Sequence, residues 1–220
     1  QLTYYGLHSL QHRGQEGAGM VLTDGNKLTG IKGEGLVMEV LTEERMKEVS
    51  GKGSIGHVRY ATAGGGGYEN VQPLLFHFQN ESMGLAHNGN LINATQLKSQ
   101  LEAQGSIFQT TSDTEVVAHL IRRAGFTTLK ERVKNALSLI KGAYAFMIMG
   151  EKELILARDP YGLRPLSLGM IGDAYVIGTR GWMDPETGSS DENDIKIYNR
   201  ELGRLNLSIE YLKKIKTEDK

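Results

Sequence analysis

The sequence contains no cysteine. That removes disulfides, thiolate metal sites and iron–sulfur ligation from these residues, together with any cysteine nucleophile. The lack of disulfides fits a reducing compartment, and the expected location is cytoplasmic. No apolar run approaches the roughly 20 residues of a membrane span. No basic segment followed by an apolar one trails Gln1, so no signal peptide is read at this end. Charge of one sign is not in excess either: the net charge is -1, too small a field to recruit nucleic acid or an anionic membrane. The six histidines show no HExxH or related ligand spacing. The run Gly64 to Gly67 lacks the Gly-Lys-Ser/Thr that completes a phosphate-binding P-loop. The carboxylates between Asp184 and Asp194 read as a solvated loop.

What remains is an ordinary globular composition, 39% hydrophobic and 23% charged, on 220 residues. That length suits one large domain, or one domain with an appendage. Proline is scarce at 4 and glycine plentiful at 28, clustered between apolar runs where turns and close backbone approach are expected.

Apolar periodicity divides the chain. Residues 1–11 carry Leu2, Tyr5, Leu7 and Leu10 at helical spacing, and His12 to Gly17 breaks that pattern. Ala18 to Thr23 and Lys27 to Lys32 read as a hairpin around Asp24-Gly25-Asn26. A short helix is expected over 42–49 with Thr42 as N-cap. Strands follow over 53–60, 71–77 and 83–87, then helices over 93–104, 115–124 and 127–140. Leu129, Val133, Ala136, Leu137 and Ile140 share one face of the last helix. Strands return over 143–149, 153–158, 166–170 and 174–179, joined by turns short enough for antiparallel neighbours. Strands, a helical block and strands again imply an α+β fold of stacked antiparallel sheets covered by helices. Beyond Thr179 a polar loop leads to a span, 194–216, in which Tyr198, Leu202, Leu205, Ile209 and Leu212 form a helical seam.

Four segments carry groups with chemical potential. Arg59 ends a strand before a glycine-rich loop, placed to fork onto a carboxylate, although a lone arginine is more often a structural ion pair. In His87-Asn88-Gly89-Asn90 a side-chain amide beside a glycine N–H offers two donors to an oxyanion, whereas the dipeptide alone indicates an Asn-Gly turn. Asp113 stands at a helix start, able to meet an ammonium group or merely to cap. His12 to Gly17 is either an active-site wall or a solvated turn. Taken singly, each structural reading is the better one.

Taken in order, the words GLHSLQHRGQEGAG, GHVRYATAGGGGYENVQPLL, AHNGNLINATQLK, IFQTTSDTEVVAHLIRR, KGAYAFMIM and DPYGLRPLSLG resemble the class II glutamine amidotransferases of the N-terminal-nucleophile hydrolase superfamily. Among these, Tyr60 and residues 64–69 are most similar to the amidophosphoribosyltransferase family of purine biosynthesis. The resemblance runs from Gln1 to about Ile177. It implies a four-layer αββα sandwich of two antiparallel sheets. It further implies that Arg59 binds the α-carboxylate of glutamine and Asp113 its α-ammonium, and that Asn88 and the N–H of Gly89 form the oxyanion hole. Arg13 and Gly14 would line the nucleophile's side, and Tyr60 with residues 64–68 would close over the ligand. In the family an N-terminal cysteine attacks the glutamine amide with its own α-amine as base. A separate phosphoribosyltransferase domain, which uses Mg, then consumes the ammonia. No cofactor is expected in the present residues. The partners implied are glutamine, that second domain and, as an open matter, further copies of the chain.

Two departures shape the expectations. The family's Cys-Gly-Val-Phe-Gly start precedes the residues matching Gln1 to His12, so the sequence as written is expected not to hydrolyse glutamine alone and to leave a sheet edge unpaired. Residues 180–220 leave the pattern. Gly178 to Trp182 and the span ending near Lys216 look like the tail of a calcineurin-like phosphoesterase, without its metal motif. The expected organisation is an amidotransferase domain over 1–179 and a tail over 180–220. The alternatives are a non-catalytic glutamine-binding or interaction module and, more remotely, a phosphoesterase-related hybrid.

Overall fold

The computed structural model describes residues 1–60, 66–171 and 173–179, and the backbone of 206–208. Strand β1 (Gly17–Thr23) is buried at all seven positions, so both of its faces must be covered. It lies between β2 (Leu28–Glu34) and β3 (Gly53–Arg59), antiparallel to each, with Gly17 opposite Glu34 on one side and Arg59 on the other. The β1–β2 turn is held by Asp24, whose Oδ1 accepts from the N–H groups of Asn26 and Lys27. β3 stands at the edge of this three-stranded sheet.

The alternation along β1 decides what covers each face. Ala18, Met20 and Leu22 pack with Leu7 of α1 (Leu2–Ser9) and with Val37 and Val40 of α2 (Val37–Val40). Val21 points the other way and packs with Leu28, Ile55, Ala86 and Met149. The last two belong to a second sheet, so this cluster is the interior between the sheets. That second sheet has the order β10-β7-β6-β5-β4, built from β4 (Leu74–His77), β5 (Ser82–Leu91), β6 (Gly142–Met149), β7 (Glu153–Arg158) and β10 (Asn206–Ser208). Its members pair antiparallel except β10, which runs parallel to β7. Its outer face carries the largest cluster, in which Leu85, Phe146 and Ile148 meet Val117 and Ile121 of α5 (Asp113–Arg123) and Val133 and Leu137 of α6 (Leu129–Leu139). Leu101 of α4 (Ala94–Ala103) joins them. Three apolar seams thus separate four layers, helix–sheet–sheet–helix, as the resemblance implies. A separate hairpin, β8 (Ser167–Ile171) with β9 (Ala174–Gly178), follows.

Local chemistry sets most boundaries. Thr42 caps α3 (Glu43–Lys47) by accepting from the Arg45 N–H. Thr128 and Glu131 form a capping box at the start of α6. Ser112 caps α5 through the Thr114 N–H, so that helix begins at Asp113, two residues before the expected start.

Three expectations are corrected. Asn88-Gly89 is not a turn: β5 continues through it to Leu91, with Asn88 opposite Ala145 and Gly89 opposite Tyr144. The Asn-Gly preference for turns yields to eight consecutive pairings with β6. The strand expected from Val71 starts at Leu74, because residues 71–73 lie across the first sheet instead of pairing. The helix expected over 194–216 is a strand at Asn206–Ser208. There Leu205, Leu207 and Ile209 alternate with polar residues, and that period of two competes with the helical seam. The remainder of the tail expectation lies outside the described residues. α2 was not anticipated, since four residues are too short to display a helical period.

Phe146 is fully buried at the centre of the largest cluster, stacked on His87 at 4.2 Å between ring centroids. Phe146→Ala is expected to cost about 3–5 kcal/mol of stability. The check is a lower midpoint in urea unfolding at an unchanged slope.

Candidate active site

A cavity of about 840 Å³ opens at the end of the sandwich where β3 stops, β5 passes and α5 begins. Arg13, Arg59, Tyr60, Asn88, Gly89 and Asp113 all line it. Of the expected site residues only Gly14 does not, and its place explains why. A Cβ on Gly14 would sit 2.6 Å from the Arg59 carbonyl carbon, so the turn packs directly behind the end of β3. The Glu16 N–H donates to the Arg59 carbonyl at 3.0 Å and fixes that contact. Arg13 reaches across the cavity wall to the Thr179 carbonyl at 3.2 Å, tying the turn to the end of β9.

Arg59 is 9% exposed, and its guanidinium donates to the Asn70 carbonyl at 2.8 Å. Asp113 is held on the opposite wall. Its Oδ2 accepts from the Leu91 N–H at 2.9 Å, and its Oδ1 is 3.6 Å from His87 Nδ1. Burial pushes its pKa up. The His87 imidazole and the N–H groups of Leu91 and Thr114 outweigh that, so the carboxyl lies below its ordinary range and is an anion at neutral pH. The cavity therefore offers a fixed cation and a fixed anion.

Asn88 supplies the neutral donor. Its Nδ2 is buried and has no hydrogen-bond partner among the described residues. Gly89 cannot be replaced by a larger residue without movement, for a Cβ would meet the Ala143 carbonyl oxygen at 2.1 Å and His87 Nε2 at 2.7 Å. Tyr60 stands 67% exposed at the mouth. Of the loop expected to close over the ligand, residues 61–65 lie outside the described residues; Gly67 leads into a 3-10 turn at Tyr68–Asn70.

Several residues that sequence reasoning passed over hold this arrangement. Gln72 accepts from the His87 N–H at 2.7 Å and donates to Thr114 Oγ1 at 3.2 Å, joining β5 to the start of α5. Asn70, 1% exposed, joins Arg59 to Thr111. His57 on β3 also lines the cavity. Burial, then repulsion from His87, brings its pKa down to about 4, and the ring stays neutral near pH 7. Asp159 is fully buried and accepts from the N–H groups of Tyr161, Leu163 and Arg164, which sets Arg164 at the cavity wall. Nothing in the local sequence marks Asn70 or Gln72; an Asx- or Gln-containing loop word is as common in solvated turns. Among the described residues no group of three or more histidine, cysteine, aspartate or glutamate side chains could hold a metal ion. No helix among them is long and apolar enough to cross a membrane.

The chain has close counterparts among known proteins. Residues 59–180 match the model of the glutamine amidotransferase domain, and the chain belongs to that family. Its curated relatives include the amidophosphoribosyltransferase of Bacillus subtilis (strain 168), 71% identical over 180 residues, which are 81% of this chain and 38% of that protein. The amidophosphoribosyltransferase of Staphylococcus aureus (strain MRSA252) is 52% identical over 178 residues, 80% of this chain and 36% of that protein. Among solved structures, one described as the allosteric regulatory enzyme of purine biosynthesis superposes with a TM-score of 0.79 at 71% identity, covering 81% of this chain and 39% of its own. The glutamine phosphoribosylpyrophosphate amidotransferase from B. subtilis complexed with ADP and GMP gives 0.76 at 69% identity, covering 80% and 38%. The chain thus spans under two-fifths of the length of these relatives.

The approach to Asp113 is braced by Glu115, 1% exposed, which accepts from the N–H groups of Gln109 and Thr110 at 3.0 and 2.7 Å. Burial raises its pKa, but His119 and those N–H groups bring it down to about 2. The folded value lies below the ordinary 4.5, so its contribution is complete above about pH 4.5 and is lost as the pH falls towards 2. Glu115→Gln is expected to cost roughly 1.5–3 kcal/mol at pH 7. Urea unfolding at a series of pH values should show the variant and wild type converging over that acid window.

Proposed function

We propose that this domain binds free glutamine and, in the intact protein, hydrolyses its side-chain amide to supply ammonia. The observation that carries the reading is the unpaired, buried Nδ2 of Asn88, in a residue that lines the cavity together with Arg59 and ionised Asp113. An orphaned buried donor costs about 1–3 kcal/mol unless a ligand supplies its acceptor. Arg59 takes the α-carboxylate and Asp113 the α-ammonium, two charge-assisted contacts that select a free amino acid over a peptide-bound glutamine. This orients the side-chain amide towards Asn88 and Gly89. As the amide carbon becomes tetrahedral, its oxygen takes negative charge, which Asn88 Nδ2 and the Gly89 N–H stabilise. Arg13 and Gly14 shape the wall from which the nucleophile approaches, and Tyr60 covers the mouth.

In the family the nucleophile is the thiol of an N-terminal cysteine. It forms a thioester as ammonia leaves, and water then releases glutamate and restores the thiol. The 220 residues contain no cysteine, so by themselves they bind glutamine without hydrolysing it. For the whole protein we propose phosphoribosylamine formation in purine biosynthesis, with the ammonia passing to a phosphoribosyltransferase domain that uses Mg. The names of the relatives and of the solved structures support this, as does the share of their length that lies outside the match.

Calorimetry with L-glutamine tests the pocket. Wild type is expected to bind, and Arg59→Lys and Asp113→Asn each to weaken binding by about tenfold or more. In the cysteine-initiated full-length protein, Asn88→Ala should lower the rate of glutamate release by about 10²–10³. A wild-type domain that gives no binding heat with glutamine would overturn the proposal.

A further inference from the structure

We infer that Asn70 fixes the separation between the cationic and anionic ends of this pocket, and so determines its selectivity for a ligand carrying both an α-carboxylate and an α-ammonium. The inference rests on the glutamine-binding reading above and extends it to a residue that bears neither charge.

Asn70 is buried, and it contacts both ends of the site through different atoms. Its backbone carbonyl accepts from Arg59 Nη1 at 2.8 Å. Its carboxamide oxygen accepts from the Thr111 N–H at 3.1 Å and from Thr111 Oγ1 at 3.2 Å. Its amide nitrogen lies 2.9 Å from Thr111 Oγ1 and 3.2 Å from the Gly66 carbonyl. Thr111 is two residues ahead of Asp113, and Ser112 between them is the cap that starts α5. Arg59 and the turn that leads to Asp113 are thus joined through one residue, by its backbone carbonyl on one side and its carboxamide on the other. That side chain also must both donate and accept, which aspartate, leucine or alanine cannot do.

The segment carrying Asn70 is itself anchored. Lys32 Nζ donates to the Glu69 and Val71 carbonyls at 3.4 and 3.0 Å, and it stands over the Tyr68 ring at 4.9 Å. Without the Asn70 carboxamide, Arg59 keeps its bond to the residue 70 carbonyl, but the side-chain tie from that residue to Thr111 is lost. Asn70 is a positioning residue: it acts through Arg59 and Thr111.

The test compares three ligands by calorimetry on the chain as it stands: L-glutamine, glutaramate, which lacks the α-ammonium, and 4-aminobutanamide, which lacks the α-carboxylate. Wild type is expected to bind glutamine at least about tenfold more tightly than either analogue. In Asn70→Ala the Kd for glutamine should rise about tenfold while those for the analogues change by less than about threefold, so the selectivity collapses. Thr111→Val tests the same link at an exposed position where folding is not at stake, and should narrow the ratio by about threefold; Thr111→Ser keeps the hydroxyl and should retain it. Wild-type ratios in both Asn70→Ala and Thr111→Val, or equal weakening of all three ligands, would overturn the inference. If Asn70→Ala does not fold, Thr111→Val decides. A wild type that binds none of the three overturns the glutamine reading itself, and this inference with it.

Discussion

Residues 70–72 lie flat on the three-stranded sheet because β1 presents glycine where they cross it. A Cβ on Gly19 would come within 2.6 Å of the Gln72 carbonyl oxygen, and one on Gly17 within 2.8 Å of a Val71 methyl. This close approach lets one short strap reach both sheets and a helix at once. Asn70 meets the end of β3 at Arg59, while Gln72 spans from the backbone of β5 at His87 to Thr114 in the first turn of α5. Each element would form without the strap, since each has its own apolar seam. Their mutual register at the cavity depends on it. A loosely packed strap would leave the same residues in the same elements, about an ångström out of place, and that is enough to spoil charge recognition of a small ligand.

The electrostatics of the cavity follow from the same geometry. Asp113 begins an eleven-residue helix, where the aligned peptide dipoles favour negative charge, and it accepts two backbone N–H groups in addition. It remains an anion despite its burial. His57, on β3 and close to His87, Arg59 and Arg13, resolves the opposite problem by staying neutral, with its pKa lowered to about 4. A second cation there would compete with Arg59 for a carboxylate. The cavity therefore presents Arg59 and an ionised Asp113 to an incoming zwitterion, and the carboxylate is held in that state by its neighbours.

Much of the architecture was legible in the residue pattern. The strand over Ala18 to Thr23, the cap at Thr42 and the apolar face of α6 are local signals, and the elements sit where those signals put them. The four-layer arrangement and the lining residues Arg13, Arg59, Tyr60, Asn88, Gly89 and Asp113 came from the resemblance, because each of those residues alone has a commoner structural reading. What local pattern could not carry was anything decided by long-range contact. Asn88-Gly89 reads as a turn until β6 pairs with it, and Val71 reads as a strand residue until the glycines of β1 draw it across the sheet. Asn70 and Gln72 matter through partners 11 to 42 positions away. The span around Asn206 carried two periods at once, and the shorter prevailed where β7 offered an open edge.

The unpaired amide of Asn88 is the place where stability and function part company. The backbone of β5 pairs with β4 and β6, His87 stacks on Phe146, and Gly89 packs so closely on β6 that no side chain fits. Asn88 lies directly beside that close contact, and its Nδ2 finds no acceptor among the described residues. A donor fixed before the ligand arrives needs no reorganisation when charge develops on the ligand's oxygen, which is the condition under which a single hydrogen bond stabilises a transition state more than a ground state. The tight β5–β6 contact at Gly89 thus serves the chemistry as much as the fold: it makes the neighbouring amide costly to satisfy from within the protein, and leaves the ligand as its partner.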